Sequence, residues 1–340
     1  MADRDGNGWV RCRLGHRHWG RFGAAGMLLY APAATSAPAA TSAAADEPAA
    51  DEPAAATADG EPRLLLQQRA WWSHHGGTWG LPGGARDSHE SAIGAALREA
   101  AEECAVPPDA VTVRGWYDDD HGGWSYGTVI AQARSAFRVH PASDETIATA
   151  WVSAPEVSSL DLHPGFAAHW PELREALRPL TVIVDAANVI GSRPDGWWRD
   201  RAGAALRLRD QLAALAGTGL DGSGFARGGD GGDGGDGGSA GPSLPAGLEL
   251  PPLHRWFPDF VLVVEGAARP AASAAAADQT RSGGRLRVVA AAGSGDDAIV
   301  ELVRQLPGWR LVVTADRELR ARAESAGAAV AGPGWLLRQL

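Results

Sequence analysis

The sequence predicts an α/β protein with two domains, and three observations support this fold class. The chain has 340 residues, which is enough for two ordinary domains. Hydrophobic residues make up 45% of it, so each domain can form a packed core. Beyond residue 179, apolar runs rich in β-branched residues alternate with helical segments, which is typical of a mostly parallel sheet. We expect residues 1–178 to form the first domain and residues 179–340 the second.

Two apolar runs predict strands in the first domain, AAGMLLY at 24–30 and RLLLQQR at 63–69. The segment between them, about 31–62, contains short tandem repeats of Ala, Pro and acidic residues. Such a composition buries too little apolar surface to offset the entropy of ordering, so it predicts a disordered insertion in a hairpin loop. The later segment HPGFAAHWPELREALRPL predicts a helix that closes the domain.

The second domain opens with the buried strand TVIVD, and a helix rich in arginine follows at about 198–216. Strands are predicted at 260–266 and 286–293, and then helix, strand, helix and strand complete the chain. Two more low-complexity segments, about 221–248 and about 267–284, interrupt this pattern. We expect both to be disordered loop insertions, which cost a folded domain little.

Composition and charge exclude several classes of protein. The net charge of −10 leaves no overall basic surface for nucleic acid. All basic residues are arginine, which excludes any mechanism that needs a lysine. Two cysteines, Cys12 and Cys104, do not make a disulfide framework. The polar N-terminus does not resemble a signal peptide, and no run reaches the 18 apolar residues typical of a membrane span. We therefore expect a soluble, cytoplasmic protein that does not bind membranes, while its oligomeric state stays open.

An unusual concentration of acidic residues occurs in the segment REAAEE. Glu99, Glu102 and Glu103 share one face of the predicted helix, where like charges three or four residues apart repel. Arg98 lies four residues before Glu102 and can orient the cluster. Clustered carboxylates suit Mg²⁺ or Mn²⁺, which take hard oxygen ligands from protein, phosphate and water. The alternative is a helix face that is merely solvated.

Residues 84–106 follow the spacing Gly-x5-Glu-x7-Arg-Glu-U-x-Glu-Glu-x-Gly-U, in which U is a bulky apolar residue. This pattern resembles the Nudix box, and the resemblance covers roughly residues 9–178. It implies an α/β/α sandwich with a mixed sheet and a Mg²⁺- or Mn²⁺-dependent pyrophosphohydrolase that cleaves a phosphoanhydride of a nucleotide-type substrate. The implied ligands are Glu102, Glu103 and the Gly84 carbonyl, with Glu99 as a ligand or base. Glu90 is expected to support the loop and helix.

Two positions depart from the family pattern. Ala105 occupies the position of the box glycine, where a left-handed helix terminus would be expected. An alanine in that conformation costs about 1 kcal/mol of folding free energy. Ala100 replaces a larger apolar residue, which weakens packing beneath the helix. Outside the box, many family members use a further acidic residue, and our candidate for a metal ligand is Glu145. Its alternative is a solvated acidic loop.

Two other groups of residues carry expectations about ligands. Asp118, Asp119, Asp120 and His121 precede the strand GGWSY and are candidates for the substrate mouth, although a polar turn explains them equally well. Trp124, within that strand, could stack on a base, although buried aromatic residues commonly belong to the core. Near the N-terminus, CRLGHRHWG contains Cys12, His16 and His18. Zinc is one interpretation, but a fourth ligand is missing nearby, so we favour a first strand.

In the second domain, acidic residues occur at the ends of predicted strands and at the start of a helix. The carboxyl ends of parallel strands converge on one crevice, so acidic residues from separate segments predict a divalent-metal site there. Caps of helices are the ordinary alternative for each one. The candidate residues are Asp185, Asn188, Glu265, Asp296, Asp297 and Asp316.

The segments VDAANV, GSGDDAIV and VTADREL resemble the NYN branch of the PIN-like nucleases over about 160 residues, including the insertions. The resemblance implies RNA hydrolysis that depends on Mg²⁺ or Mn²⁺. Its core ligands would be Asp185, Asp296 and Asp316, with Asn188 supporting Asp185 and Asp297 as an alternative to Asp296. Two other functions remain open: a bifunctional RNA-turnover enzyme that also trims 5′ ends, or a C-terminal half that only binds RNA or nucleotide.

Overall fold

The computed structural model describes residues 4–32, 61–135, 137–194, 196–222, 248–275 and 284–340. Most of the three predicted insertions, namely 33–60, 223–247 and 276–283, lies outside the described residues. The chain divides into two compact units, Met1–Leu177 and Arg178–Leu340. No described helix is long and apolar enough to cross a membrane.

The first unit combines short and long strands with two helices. Its strands are Trp9–Arg11 (β1), Arg17–Trp19 (β2), Ala24–Ala31 (β3), Arg63–Arg69 (β4), Trp79–Gly80 (β5), Gly83–Ala85 (β6), Val111–Asp120 (β7), Ser125–Ala133 (β8) and Thr146–Ser153 (β9). Its helices are Ala92–Cys104 (α1) and Pro164–Leu173 (α2).

A mixed sheet forms the centre of the first unit. Its strands run in the order β7–β8–β3–β4–β5, with β6 also paired to β3 and β9 to β4. The β3–β8 pair is parallel and the others are antiparallel. Every residue of β3 is buried, as its continuous apolar run predicts. The strands β1 and β2 form a separate antiparallel hairpin.

Helix α1 packs closely on this sheet because its buried face consists of small side chains. Ala95, Ala96 and Ala100 are completely buried in a core that includes residues of β3 and β8. At Gly127 in β8, an added Cβ would lie 2.8 Å from the Cβ of Ala92. The small residue at Ala100 is therefore part of a tight interface, and not the weak point that its departure from the family pattern predicts.

The closing helix of the first unit is shorter than the sequence predicts. Helix α2 ends at Leu173, and a 3₁₀ turn, Arg174–Leu177, continues it toward the second unit. Pro171 lies inside α2 and removes one backbone donor. The predicted single helix is therefore divided into an α-helix and a tighter turn.

The second unit contains a parallel sheet with helices between its strands. The strands are Leu180–Asp185 (β10), Leu220–Asp221 (β11), Arg255–Trp256 (β12), Asp259–Val264 (β13), Leu286–Ala290 (β14), Trp309–Val313 (β15) and Ala329–Ala331 (β16). The helices are Ala186–Gly191 (α3), Arg201–Thr218 (α4), Pro270–Ala275 (α5), Gly295–Gln305 (α6), Arg317–Ser325 (α7) and Pro333–Leu337 (α8).

The parallel strands lie in the order β14–β13–β10–β15–β16. The α/β class predicted from the alternating pattern is thus confirmed. One detail was wrong: the segment predicted as a loop at about 267–284 begins with α5, because the parallel strands β13 and β14 need a crossover connection between them. The short antiparallel ribbon of β11 and β12, at the two ends of the second insertion, was also missed.

Candidate functional site

The segment 83–105 forms a strand, a loop and a helix. Strand β6 pairs with β3 through Gly83↔Gly26 and its two neighbours. The Ser91 hydroxyl caps α1 by accepting a hydrogen bond from the Gly94 N–H at 3.0 Å. The loop that joins β6 to α1 therefore has fixed ends, and the charged residues of α1 face it.

Arg98 is the centre of the charged network. Its Nε and Nη2 donate to the two Oε atoms of Glu90, both at 2.8 Å, and Nη2 also reaches the Ala85 carbonyl at 3.0 Å. Its Nη1 donates to Glu99 at 2.6 Å and to Glu102 at 3.3 Å. The bond from Arg98 holds the pKa of Glu90 below its usual range. The bidentate contact between Arg98 and Glu90 joins the loop to the helix, and Arg98 Nη1 orients Glu99 and Glu102.

Glu103 is the most deeply buried acid of the box. Its Oε2 accepts hydrogen bonds from the Gly83 N–H at 2.7 Å and from Gln67 Nε2 at 2.8 Å. Burial, with the nearby charge of Glu99, raises the pKa of Glu103 to about 8. The completely buried Gln67 was missed by sequence reasoning, although a polar residue in the apolar strand β4 was the available signal.

Glu99 lies directly against Gly84. A Cβ added to Gly84 would lie 2.8 Å from the Glu99 carboxylate, so only glycine permits this approach without a shift. The Glu99 side chain is only 14% exposed, and burial raises its pKa. Two glycines of β6, Gly83 and Gly84, thus bring backbone next to two buried carboxylates.

Glu102 is the accessible member of the cluster, with 37% of its side chain exposed. Besides Arg98, it accepts a hydrogen bond from Arg4. The N-terminal arm also meets the box loop, because Gly6 N–H donates to Asp87 at 2.7 Å and Ser88 N–H donates to Asp5 at 2.9 Å. Nothing in the sequence indicates these contacts, which join segments about 80 residues apart.

The residues of this cluster fit a divalent cation. Glu99 and Glu103 are largely buried acids, and burial raises the pKa of each, so a bound cation would stabilise their charged forms. Carboxylate and backbone oxygens are the ligands that Mg²⁺ and Mn²⁺ prefer. The exposed Glu102 leaves one side open to a phosphate-bearing molecule.

The remaining predicted residues of the first unit lie in two places. Glu145 is exposed just before β9. The hydroxyl of its neighbour Thr146 donates to Gln67 at 2.6 Å, and Gln67 in turn donates to Glu103. Asp120 accepts from the Gly122 N–H at 2.7 Å, which stabilises the turn after β7. His121 and Trp124 lie in that same turn and contact His18, from the hairpin of β1 and β2.

Ala105 adopts the left-handed conformation that the box glycine predicts, with φ 56° and ψ 32°. Its N–H bonds the Ala101 carbonyl, and the Val106 N–H bonds the Ala100 carbonyl, which closes α1 in the manner of a glycine-terminated helix. The family's glycine therefore has a backbone role at this position, and alanine adopts the same geometry with strain.

Ala105→Gly is expected to raise the free energy of unfolding by about 0.5–1 kcal/mol. Glycine relieves the left-handed strain of about 1–2 kcal/mol, while greater freedom of the unfolded chain offsets part of the gain. Urea unfolding measures the change, and hydrolytic activity should not alter. Ala101→Gly, in the helical interior of the same turn, is the control and should destabilise.

In the second unit, Asp185 ends β10 and caps α3. Its carboxylate accepts hydrogen bonds from Asn188 N at 3.1 Å, Asn188 Nδ2 at 2.7 Å and Thr314 Oγ1 at 2.9 Å. Asn188 Oδ1 in turn accepts from the Ala315 N–H at 3.3 Å. These bonds join the carboxyl ends of the neighbouring strands β10 and β15. Thr314 is buried and was missed, since a threonine at a strand end carries no distinctive signal.

The other acids of this unit divide into two groups. Burial, together with the charges of Asp185, Asp316 and Glu265, raises the pKa of Asp296, so the negative charges of these three acids act on that carboxyl group. Asp297 instead pairs with Arg322 at 2.5 Å. Asp316 also caps α7 through the Leu319 N–H, and Glu265 accepts from the Gly295 N–H at 2.7 Å. Of the two adjacent aspartates, Asp296 belongs to the cluster.

Comparison with known proteins concerns the first half of the chain. A family model described as NUDIX domain matches residues 53–175. The Mycobacterium tuberculosis protein named "Putative 8-oxo-dGTP diphosphatase 3" is 43% identical over 186 residues, which cover 52% of this chain and 72% of that protein. The Bifidobacterium longum "Nucleoside triphosphate pyrophosphatase/Nudix hydrolase fusion protein" is 36% identical over 177 residues, covering 52% of this chain and 32% of that protein.

Among solved structures, a Nudix hydrolase from M. smegmatis, RenU, is 41% identical, covers 51% of this chain and 95% of that chain, and has a TM-score of 0.41. The residues matched by the family model include the strand, loop and helix that hold Arg98 and the box glutamates. With a relative 43% identical over most of that relative's length, the chain belongs to the Nudix hydrolase family and is a phosphoanhydride hydrolase.

Proposed function

We propose that the first unit is a Mg²⁺-dependent pyrophosphohydrolase of nucleoside triphosphates or related nucleoside-diphosphate-linked molecules, with Mn²⁺ as an alternative cation. The main support is the arrangement of Glu99, Glu102 and Glu103 around Arg98, with one acid accessible and two buried against β6. Such a cluster is suited to cations that bridge carboxylates and phosphate oxygens.

Each box residue has a distinct proposed role. Bound cations would neutralise the pyrophosphate and lower the pKa of the attacking water. Glu102 and Glu103, with the Gly84 carbonyl, would hold the cations, and Glu99 would act as a further ligand or as the base. Arg98 orients Glu99 and Glu102, and Glu90 anchors Arg98. Glu145 is kept as an additional ligand and Asp120 as a substrate contact, whereas His121 and Trp124 contact His18 instead.

The relative from Mycobacterium tuberculosis makes oxidised nucleoside triphosphates the first substrates to test. Purified full-length protein with Mg²⁺ is offered 8-oxo-dGTP, the four ordinary deoxynucleoside triphosphates, a dinucleoside polyphosphate, a nucleotide sugar and 5′-triphosphate RNA. Release of pyrophosphate or phosphate is measured for each. We expect kcat/KM for 8-oxo-dGTP to exceed that for dGTP, and equal values would reject the preference for oxidised nucleotides. If none of these substrates is hydrolysed in a metal-dependent reaction, the proposed function is rejected.

The second unit supports a second candidate function, metal-dependent cleavage of RNA by a PIN-like domain of the NYN type. The support is that Asp185, Glu265 and Asp316 lie at or just beyond the carboxyl ends of parallel strands and that their charges raise the pKa of the partly buried Asp296. The Asp185 side chain is held by Asn188 and Thr314. Four acids from separate segments exceed what helix capping requires, and a divalent cation would balance their charge.

Asp185→Asn and Asp316→Asn are expected to abolish cleavage of single-stranded RNA in the presence of Mg²⁺ or Mn²⁺. Asp297→Asn is the matched control, because its carboxylate pairs with Arg322 outside the cluster. RNA that the wild type binds without cleaving would instead indicate a non-catalytic binding module. If the wild type both cuts RNA and removes pyrophosphate from its 5′ end, the two units form a bifunctional RNA-turnover enzyme.

A further inference from the structure

A cluster of metal-binding side chains lies outside the Nudix box, at the hairpin of β1 and β2. Cys12 and His16 lie in the turn of the hairpin and His18 lies in β2. His121 comes from the turn between β7 and β8, about 100 residues later in the chain. One ligand atom from each of the four lies within 4.8 Å of the other three. The fourth ligand that the sequence alone does not supply is therefore His121.

Hydrogen bonds hold the two turns together. The Arg13 N–H donates to the Gly122 carbonyl at 2.9 Å, and the indole N–H of Trp124 donates to the Gly20 carbonyl at 3.0 Å. The turn that carries Cys12 is itself closed by Cys12 N–H to the His16 carbonyl at 3.1 Å. The ring of His18 stacks on Trp124 with centroids 3.9 Å apart. The four side chains are thus presented by a fixed backbone.

Two imidazole nitrogens in the cluster need a partner. His18 Nε2 and His121 Nδ1 are buried, and neither atom makes a hydrogen bond with any described residue. A buried polar atom left without a partner costs about 1–3 kcal/mol, so such atoms usually bind something. Cys12 is buried and is not in a disulfide. Three of the four side chains therefore present a donor atom that a metal would satisfy.

His121 also has the outer contact that metal-binding histidines usually make. Its Nε2 lies 2.9 Å from Asp119 Oδ2, so the buried Nδ1, which makes no hydrogen bond among the described residues, is the nitrogen available to a metal. The same Asp119 oxygen lies 3.2 Å from His169 Nε2.

We propose that Cys12, His16, His18 and His121 form a tetrahedral zinc site, with Asp119 as the outer carboxylate that orients His121. One thiolate and three imidazoles suit zinc and do not suit Mg²⁺, which takes oxygen ligands. A tetrahedral site separates its ligand atoms by about 3.3–3.7 Å, so the side chains need to approach by about 1 Å. All four residues are from closed turns or strands, and no position is left for substrate.

The site would serve a structural purpose. It would fasten the hairpin of β1 and β2 to the turn between β7 and β8. The residues just before this hairpin, Asp5 and Gly6, bond the box loop at Ser88 and Asp87. Zinc bound at the hairpin would therefore limit the movement of an arm that contacts the loop of the catalytic helix.

The test is metal analysis of full-length protein produced in zinc-supplemented medium and freed of loosely bound metal. We expect close to one zinc per chain, as in structural zinc sites. After removal by chelator, Co²⁺ should give a thiolate-to-cobalt charge-transfer band and the visible absorption of a tetrahedral ion. Cys12→Ser should remove the charge-transfer band, and His16→Ala, at an exposed position, should weaken zinc binding at least tenfold.

Asp119→Asn should weaken zinc binding about 10–100-fold while leaving the charge-transfer band of the cobalt-loaded protein in place. His140→Ala, a histidine exposed elsewhere on the first unit, is the matched control and should retain zinc. Wild-type protein that holds no zinc and shows no thiolate band with Co²⁺ would overturn the proposal. So would Cys12→Ser or His16→Ala protein that binds zinc as tightly as the wild type.

Discussion

Glu102→Gln is expected to lower kcat for nucleotide hydrolysis about 10³-fold while leaving the fold intact. A metal that polarises a phosphoryl group supplies several kcal/mol, and each 1.4 kcal/mol or so corresponds to a factor of ten. The Glu102 side chain is 37% exposed, and among the described residues it is bonded to the side chains of Arg98 and Arg4. A glutamine side chain has nearly the same shape as glutamate but lacks the negative charge that binds a cation. Initial rates at saturating substrate and Mg²⁺ measure the effect.

Glu172→Gln, an exposed glutamate of α2, is the matched control and should hydrolyse at the wild-type rate. The unfolding midpoint of Glu102→Gln should stay close to that of the wild type, because exposed ion pairs contribute little to stability. Raising the Mg²⁺ concentration should recover part of the lost rate if the role is metal binding. A Glu102→Gln protein with unchanged kcat would remove this residue from the catalytic set.

The box could be predicted from the sequence because its spacing is local. Residues three and four apart on a helix share a face whatever surrounds them, so the grouping of Glu99, Glu102 and Glu103 follows from periodicity alone. The strain at Ala105 could also be anticipated, since the helix terminus requires a left-handed residue. These features depend on backbone geometry within one segment.

Contacts between distant segments could not be predicted. Gln67 reaches Glu103 from a strand 36 residues earlier, and His121 reaches the Cys12 turn from the later turn between β7 and β8. Such pairs depend on sheet order and register, which a single sequence does not determine. For the same reason, the pairing of Asp297 with Arg322, which separates it from Asp296, appears only in the folded chain.

Fold prediction succeeded where patterns were long and periodic. The buried strands β3, β4, β10 and β13 coincide with apolar runs in the sequence. Apart from the closing helix, which ends early at Leu173, the errors fall on short elements in or beside the low-complexity segments, namely α5, β11 and β12. Alanine and glycine tracts carry no hydrophobic periodicity, so a six-residue helix such as α5 has no signal of its own.

Arg98→Ala is expected to lower the stability of the first unit by about 2–4 kcal/mol and kcat about 10²-fold. The substitution leaves Glu90 and Glu99, whose side chains are each only 14% exposed, without their cation. Breaking a fully buried ion pair costs about 3–5 kcal/mol, and the partial exposure of Arg98 reduces this value. Loss of the groups that orient metal ligands costs about 10–100-fold in activity. The midpoint temperature of thermal unfolding of the first unit should fall by roughly 5–15 °C.

Arg98→Lys separates charge from geometry. Lysine keeps the positive charge but cannot bind both oxygens of Glu90 while also reaching Glu99, because it lacks the planar fork of arginine. We expect its stability and its kcat to lie between those of the wild type and Arg98→Ala. Glu90→Gln should destabilise less than Arg98→Ala, because Arg98 keeps Glu99 and Glu102 as partners. If Arg98→Lys matched the wild type in both measurements, charge alone would suffice, and the fork that joins loop to helix would have no role in positioning the metal ligands.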